Sequence, residues 1–131
     1  MDLKKNYLTD KVAEVEGLNK DFGDGCFIKI ARIGNSEYKK YFQKITKPYQ
    51  KAIRRGVLSD EIADKLLIDA MANKIVLGWS GMTEDDKPVE YSVENCIRIL
   101  TTYTDLKDQI QEIANEMESF KAEDDEDLEK N

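Results

Sequence analysis

The sequence predicts a mainly α fold of the α+β kind. The expectation is a small helical domain of about four to five helices, with a short N-terminal β-hairpin and a disordered acidic C-terminal tail. Three observations carry it. Apolar residues recur at three- and four-residue spacing in separate stretches from Tyr38 to Phe120, the signature of helices that bury one face. Before Tyr38 two short apolar runs flank a cluster of turn formers. After Phe120 apolar content almost vanishes and acids dominate, a composition that cannot bury enough surface to order itself. The chain thus divides into a flexible segment 1–10, a single domain 11–120 and an acidic tail 121–131.

The elements follow in order. Val12, Val15 and Leu18 suggest a first strand and Cys26–Ala31 a second, with Asn19–Gly25 as the turn between them. Asn35 or Ser36 can cap a helix that opens with Glu37 and carries Tyr38, Tyr41, Phe42 and Ile45 as one stripe. Pro48 lacks an amide hydrogen and crowds the preceding turn, so it kinks that helix or begins another. Tyr49, Ala52 and Ile53 continue the stripe until Gly56 stops it. Ser59 caps the next helix, whose wide apolar face runs from Ile62, Ala63, Leu66, Leu67, Ala70 and Met71 to Ile75, with Gly78 as its end. The stretch from Gly78 to Tyr91 reads as an irregular excursion with at most two very short strands. Ser92 caps a short helix bearing Val93, Ile97 and Leu100. Thr104 caps the last, with Leu106, Ile110, Ile113, Met117 and Phe120 on a narrow seam.

Composition narrows the chemistry. With 131 residues, 40% of them apolar, the chain is long enough to fold around one core. It contains no histidine, which removes serine–histidine and cysteine–histidine catalysis and the commonest metal ligand. With two cysteines no ordinary tetrahedral zinc site can be assembled, and no cofactor is expected. The one enzyme class left open is a carboxylate-based hydrolase, of whose pocket the sequence gives no sign. Cys26 and Cys96 lie far apart without CxxC spacing and are expected to be free thiols in a reducing cytoplasm. No apolar run approaches the roughly 20 residues that cross a bilayer.

The charges are segregated. Net charge is −7, yet residues 29–55 hold nine cations against Glu37 alone, a local +8, while 121–131 sum to −4. The basic stretch is either a solvated face or a surface for acids, whether of a protein partner or of the chain's own tail. Phosphate contact is the weaker alternative, because Tyr38, Tyr41 and Phe42 fall on the apolar stripe rather than among the cations. Glu84-Asp85-Asp86 lacks the alternating ligands of a calcium loop and reads as a turn. Asp60 and Asp64 share an exposed helical face. Trp79 either plugs the core or docks a partner. The seam Leu106 to Phe120 either completes the core or fills a groove with a partner helix, and a seam of that kind can also pair with itself.

The run Phe27-Ile28-Lys29-Ile30-Ala31-Arg32-Ile33-Gly34-Asn35, followed by Glu37-Tyr38 and a lysine-rich helix, resembles the opening of phage tail assembly chaperones. Leu77-Gly78-Trp79-Ser80-Gly81-Met82, the acidic turn, Lys87-Pro88-Val89 and Tyr91-Ser92-Val93-Glu94-Asn95 resemble the middle of that family, and the closing helix with its acidic tail resembles its end. The resemblance spans about residues 9–125. It implies a non-enzymatic protein of a long non-contractile-tailed phage, acting in the host bacterial cytoplasm. Such a protein binds the tape measure protein, keeps it soluble, helps recruit tail tube subunits and is absent from the finished virion. Under that reading Leu106, Ile110, Ile113, Met117 and Phe120 are groove candidates. Lys39, Lys40, Lys44, Lys47, Lys51, Arg54 and Arg55 are candidates for a basic rim. The alternative is a small nucleic-acid-binding regulator that uses segment 29–55.

Overall fold

The structure, a computed structural model, describes residues 16–116. The expected flexible residues 1–10, Val12 and Val15 of the expected first strand, Met117, Phe120 and the acidic segment 121–131 lie outside the described residues.

Strands β1 (Leu18–Asp21) and β2 (Phe27–Ile30) form an antiparallel hairpin in which Leu18 faces Ile30 and Asp21 faces Phe27. The ladder therefore takes up Asn19, Lys20 and Asp21, residues whose composition places them in the turn. β1 is an edge strand, where backbone pairing tolerates polar side chains, and the turn is correspondingly tighter. The Asp21 carboxylate accepts from the Gly23 amide at 2.8 Å, and the Phe22 amide bonds the Cys26 carbonyl at 2.9 Å. Along β2, Ile28 and Ile30 are buried while Phe27 and Lys29 are exposed, so alternation is clean despite the apolar residue on each face.

Helix α1 (Ser36–Thr46) is capped by Asn35, whose Oδ1 accepts from the Tyr38 amide at 2.9 Å and whose Nδ2 donates to the Arg32 carbonyl at 2.6 Å. Pro48 sits in a single 3-10 turn (Lys47–Tyr49) that separates α1 from α2 (Gln50–Arg55). Gly56, at φ 68°, closes α2 by turning its amide back to the last carbonyls, a conformation that disfavours any side chain with a Cβ. Ser59 caps α3 (Asp60–Lys74), its hydroxyl accepting from the Ile62 amide.

The apolar run after α3 is not helical to Gly78. Val76–Ser80 forms β3, which pairs antiparallel with β2 and sets Ile28 opposite Trp79 and Ile30 opposite Val76 across a bulge. The strand thus takes Val76 and Leu77 from the stretch expected to be helical and residues 78–80 from the region read as irregular. A helical stripe and a buried strand look alike over so short an apolar run, and the free edge of β2 decides between them. The Ala31 amide bonding the Ile75 carbonyl at 2.8 Å fixes the junction. Beyond it, β4 (Thr83–Glu84) and β5 (Lys87–Pro88) make a ribbon closed by Asp85 and Asp86, both at positive φ (52° and 63°), the geometry of a type I′ turn. The two very short strands and the acidic turn fall where the sequence placed them.

Ser92 caps α4 (Val93–Thr102) through the Asn95 amide. Thr104 does not cap α5 (Thr104–Asn115). One residue, Tyr103, joins the two helices and serves as the end of one and the start of the other, so Thr104 is already helical and no side chain caps it.

The three-stranded sheet has the order β1-β2-β3. α3 packs against β3, α5 against β2, α1 and α4 against α3, and α4 against α5. The core is built from Ile28, Ile30, Met71, Ile75, Val76, Cys96, Leu100 and Ile110, with Ala70, Ala72 and Ala114 permitting close approach. The second half of α3 runs through this core. Its first turn does not, and Ile62 is exposed, as is Ile53 on α2, so both expected apolar stripes stop short of these residues.

Candidate functional site

Two surfaces stand out. The first is made by α1, the proline turn and α2. Lys39, Lys40, Lys44, Lys47, Lys51, Arg54 and Arg55 are all exposed, and none pairs with an acid among the described residues. The reason lies on the opposite face. Tyr38 stacks on Phe42 with ring centroids 5.7 Å apart, and Tyr41 donates its hydroxyl to Asp69 of α3 at 2.8 Å, an oxygen that Asn73 also bonds. Burial raises the pKa of Tyr38, and burial followed by the Asp69 contact raises that of Tyr41, so both hydroxyls stay protonated. These aromatics anchor α1, which turns its cations outward. Glu37, the one acid of segment 29–55, lies 3.9 Å from Lys74 of α3 and so leaves the row uncompensated. Ile53 (43% exposed) and Val57 (69% exposed) stand among Lys51, Arg54 and Arg55, adding apolar area to a charged surface.

The second surface is a cleft of about 550 Å³ between the hairpin turn, the β3–β4 connection and the α4–α5 corner. Phe22, Ile28, Met82, Ile99 and Leu106 supply its apolar wall, while Asp24, Glu84 and Asp85 lie on its rim. Arg98 grips Glu84 with two nitrogens, at 3.0 and 3.2 Å, and Tyr103 donates its hydroxyl to the same carboxylate. The bonds from Arg98 and then Tyr103 hold the Glu84 carboxyl below its ordinary pKa. In Tyr103 the bond to Glu84 raises the phenol. Gly81 closes the back of the cleft: a Cβ there would lie 2.1 Å from the Gly25 carbonyl oxygen, at φ 74°.

The predicted seam is divided between these environments. Ile110 is in the core at 1% exposure, Ile113 is half-buried against it, and Leu106 is on the cleft wall. Met117 and Phe120 lie outside the described residues. None of the seven cations lines the cleft, so the structure does not place the basic row around the groove that Leu106 helps to form. The other cleft residues share no sequence period, because they come from the hairpin turn, β2, the β3–β4 connection and ribbon, α4 and α5. Only the glycines at 23, 25 and 81 mark it as a place of close backbone approach.

Trp79 is structural. Its indole donates to the Val89 carbonyl at 2.7 Å and meets Tyr91 edge-on at 5.0 Å, which ties the ribbon to β3. Cys26 and Cys96 are free thiols. Burial and then the charge of Asp21 raise the Cys26 thiol, and burial pushes Cys96 to about 12, so neither has the lowered pKa of a reactive thiolate. Among the described residues no cluster of three or more acids and cysteines is arranged to hold a metal ion. No helix among them is long and apolar enough to cross a membrane.

No curated protein and no solved structure matches this chain. One family model does: residues 33–131 match that of the YdaY prophage protein, a span that takes in α1 to α5, β3, the ribbon and the acidic segment. The chain carries the match over well more than half of its length and belongs to the YdaY prophage protein family.

Proposed function

We propose that this prophage protein is a non-enzymatic tail assembly chaperone. In the host cytoplasm it binds the tape measure protein, keeps it soluble and helps bring tail tube subunits to it, without entering the virion. The observation that carries the reading is the surface of α1 and α2, seven exposed cations with no acid partner among the described residues and with Ile53 and Val57 between them. A long amphipathic helix is held by such a surface in two ways. Apolar contact supplies affinity, and charge of opposite sign speeds encounter and selects register. The prophage family and the resemblance of residues 9–125 to tail assembly chaperones support the assignment.

Co-expression with the tape measure protein of the same prophage, followed by size-exclusion chromatography, tests it. The large protein is expected to be soluble only with this chain and to co-elute with it. A variant with glutamine at Lys44, Lys47, Lys51 and Arg54 is expected to lose that co-elution while remaining folded. If the chain elutes alone and the tape measure protein precipitates, the assignment fails. Retention of DNA with a steep loss on added salt would replace it with a nucleic-acid regulator.

A further inference from the structure

The basic surface has a complementary acid within the same polypeptide. We propose that segment 117–131 is its occupant in the free protein, and that a partner must displace this segment to dock. The inference rests on the basic surface being the docking surface, not on which partner it receives.

Three observations meet here. The first is where the described chain ends. The Ile33 amide bonds the Ala114 carbonyl at 2.9 Å, so the end of α5 is stapled beside the residues that lead into α1, and the chain departs from Glu116 at the head of the basic row. The second is reach. Fifteen residues extend to about 50 Å, whereas Ser36 to Arg55 occupies about 30 Å at a helical rise. Glu123, the first of the clustered acids, is seven residues beyond Glu116, so the cluster falls within reach of Lys44, Lys47, Lys51, Arg54 and Arg55. The third is charge. Glu123, Asp124, Asp125, Glu126, Asp127 and Glu129 carry six negative charges in seven positions, facing seven cations that have no acid of their own among the described residues. Leu128 stands among those acids as Ile53 and Val57 stand among the cations. Outside 29–55 the chain sums to −15, so no other part of it offers the segment a comparable surface.

Each exposed pair is individually weak, but the tether supplies an effective concentration on the order of 1 mM. A segment that would bind in trans with a Kd of about 0.1 mM then occupies the surface roughly ten times out of eleven, and a competing acid binds about tenfold more weakly. The segment thus acts as a selective cover. It excludes casual acids and yields to a partner that adds apolar contact.

The test uses the full chain alone. Zero-length carbodiimide coupling at low salt and micromolar protein, followed by peptide mapping of the monomer, is expected to join acids of 123–129 to Lys44, Lys47 and Lys51. These bonds should disappear in about 1 M salt, where the Debye length is about 3 Å. A full-length variant with the six acids changed to their amides is expected to bind poly-L-glutamate about tenfold more tightly than the natural chain, with the two converging at high salt. Cross-links found only between molecules would assign the surface to a second copy and overturn the intramolecular version. Cross-links scattered over Lys20, Lys65 and Lys87, or unchanged affinity for polyglutamate, would overturn it too. Failure of co-elution with the tape measure protein leaves all of these readouts in place, so the two proposals fail separately.

Discussion

The second half of α3 and the whole of α2 are helical segments of similar length that solve opposite problems. α3 contributes Ile68, Ala70, Met71 and Ala72 to the core, so it is enclosed nearly all round. α2 contributes no buried residue. A six-residue helix has too few hydrogen bonds to offset its own nucleation, so α2 is held by its ends: the proline turn sets its start and Gly56 closes its finish. A helix fixed in that way leaves its faces free. The core half of the molecule is therefore where substitutions cost stability, and the α1–α2 surface is where they spare the fold.

The largest effect is expected at the core. Met71→Ala removes a fully buried side chain and should lower unfolding free energy by about 2–5 kcal/mol in urea titration. A loss below about 1 kcal/mol would break the contrast. Gly81→Ala forces a Cβ against the Gly25 carbonyl in a left-handed conformation. It should cost at least about 1–2 kcal/mol and widen the cleft, read as faster amide exchange in the hairpin turn.

Cys96 predicts a pH dependence. Below its ordinary pKa of 9.0 the thiol is protonated in both folded and unfolded chains and contributes no slope. Between 9.0 and about 12 the unfolded thiol ionises and the buried one does not, so stability falls as pH rises. The slope is at most about 1.4 kcal/mol per pH unit. The Cys96→Ala variant should lack this component of the alkaline decline, and parallel curves would show the thiol to be solvated. The smallest effect belongs to the exposed row. In about 1 M salt, where segment 117–131 is released, glutamine at Lys44, Lys47, Lys51 and Arg54 together should shift stability by no more than about 0.5 kcal/mol, since no ion pair among the described residues is lost. A larger destabilisation would mean that these side chains support the fold and are not simply presented by it.

Much of the local structure is legible residue by residue. Asn35, Ser59 and Ser92 cap the helices that follow them, Pro48 breaks the first helical stretch, Gly56 ends the second, and Asp85-Asp86 turns the ribbon. Each is a short-range matter of φ, of a missing amide hydrogen or of a side-chain oxygen within three residues. The basic row is legible for the same reason, because an aromatic stripe on one side of α1 sends the lysines to the other. Thr104 misleads, since a cap requires a free first turn and the one-residue joint at Tyr103 leaves none.

What the sequence determined alone was the helical periodicity, most of the stops and starts, the segregation of charge and the absence of histidine chemistry. Only the tertiary structure decided that Val76–Ser80 is a strand, that Ile110 lies inside while Leu106 faces a cleft, and that Glu84, Arg98 and Tyr103 come together at its rim. The physical reason is common to these cases. A cap or a turn is settled by neighbours along the chain, whereas the fate of an apolar run depends on which edge or face it meets, and that partner here lies tens of residues away.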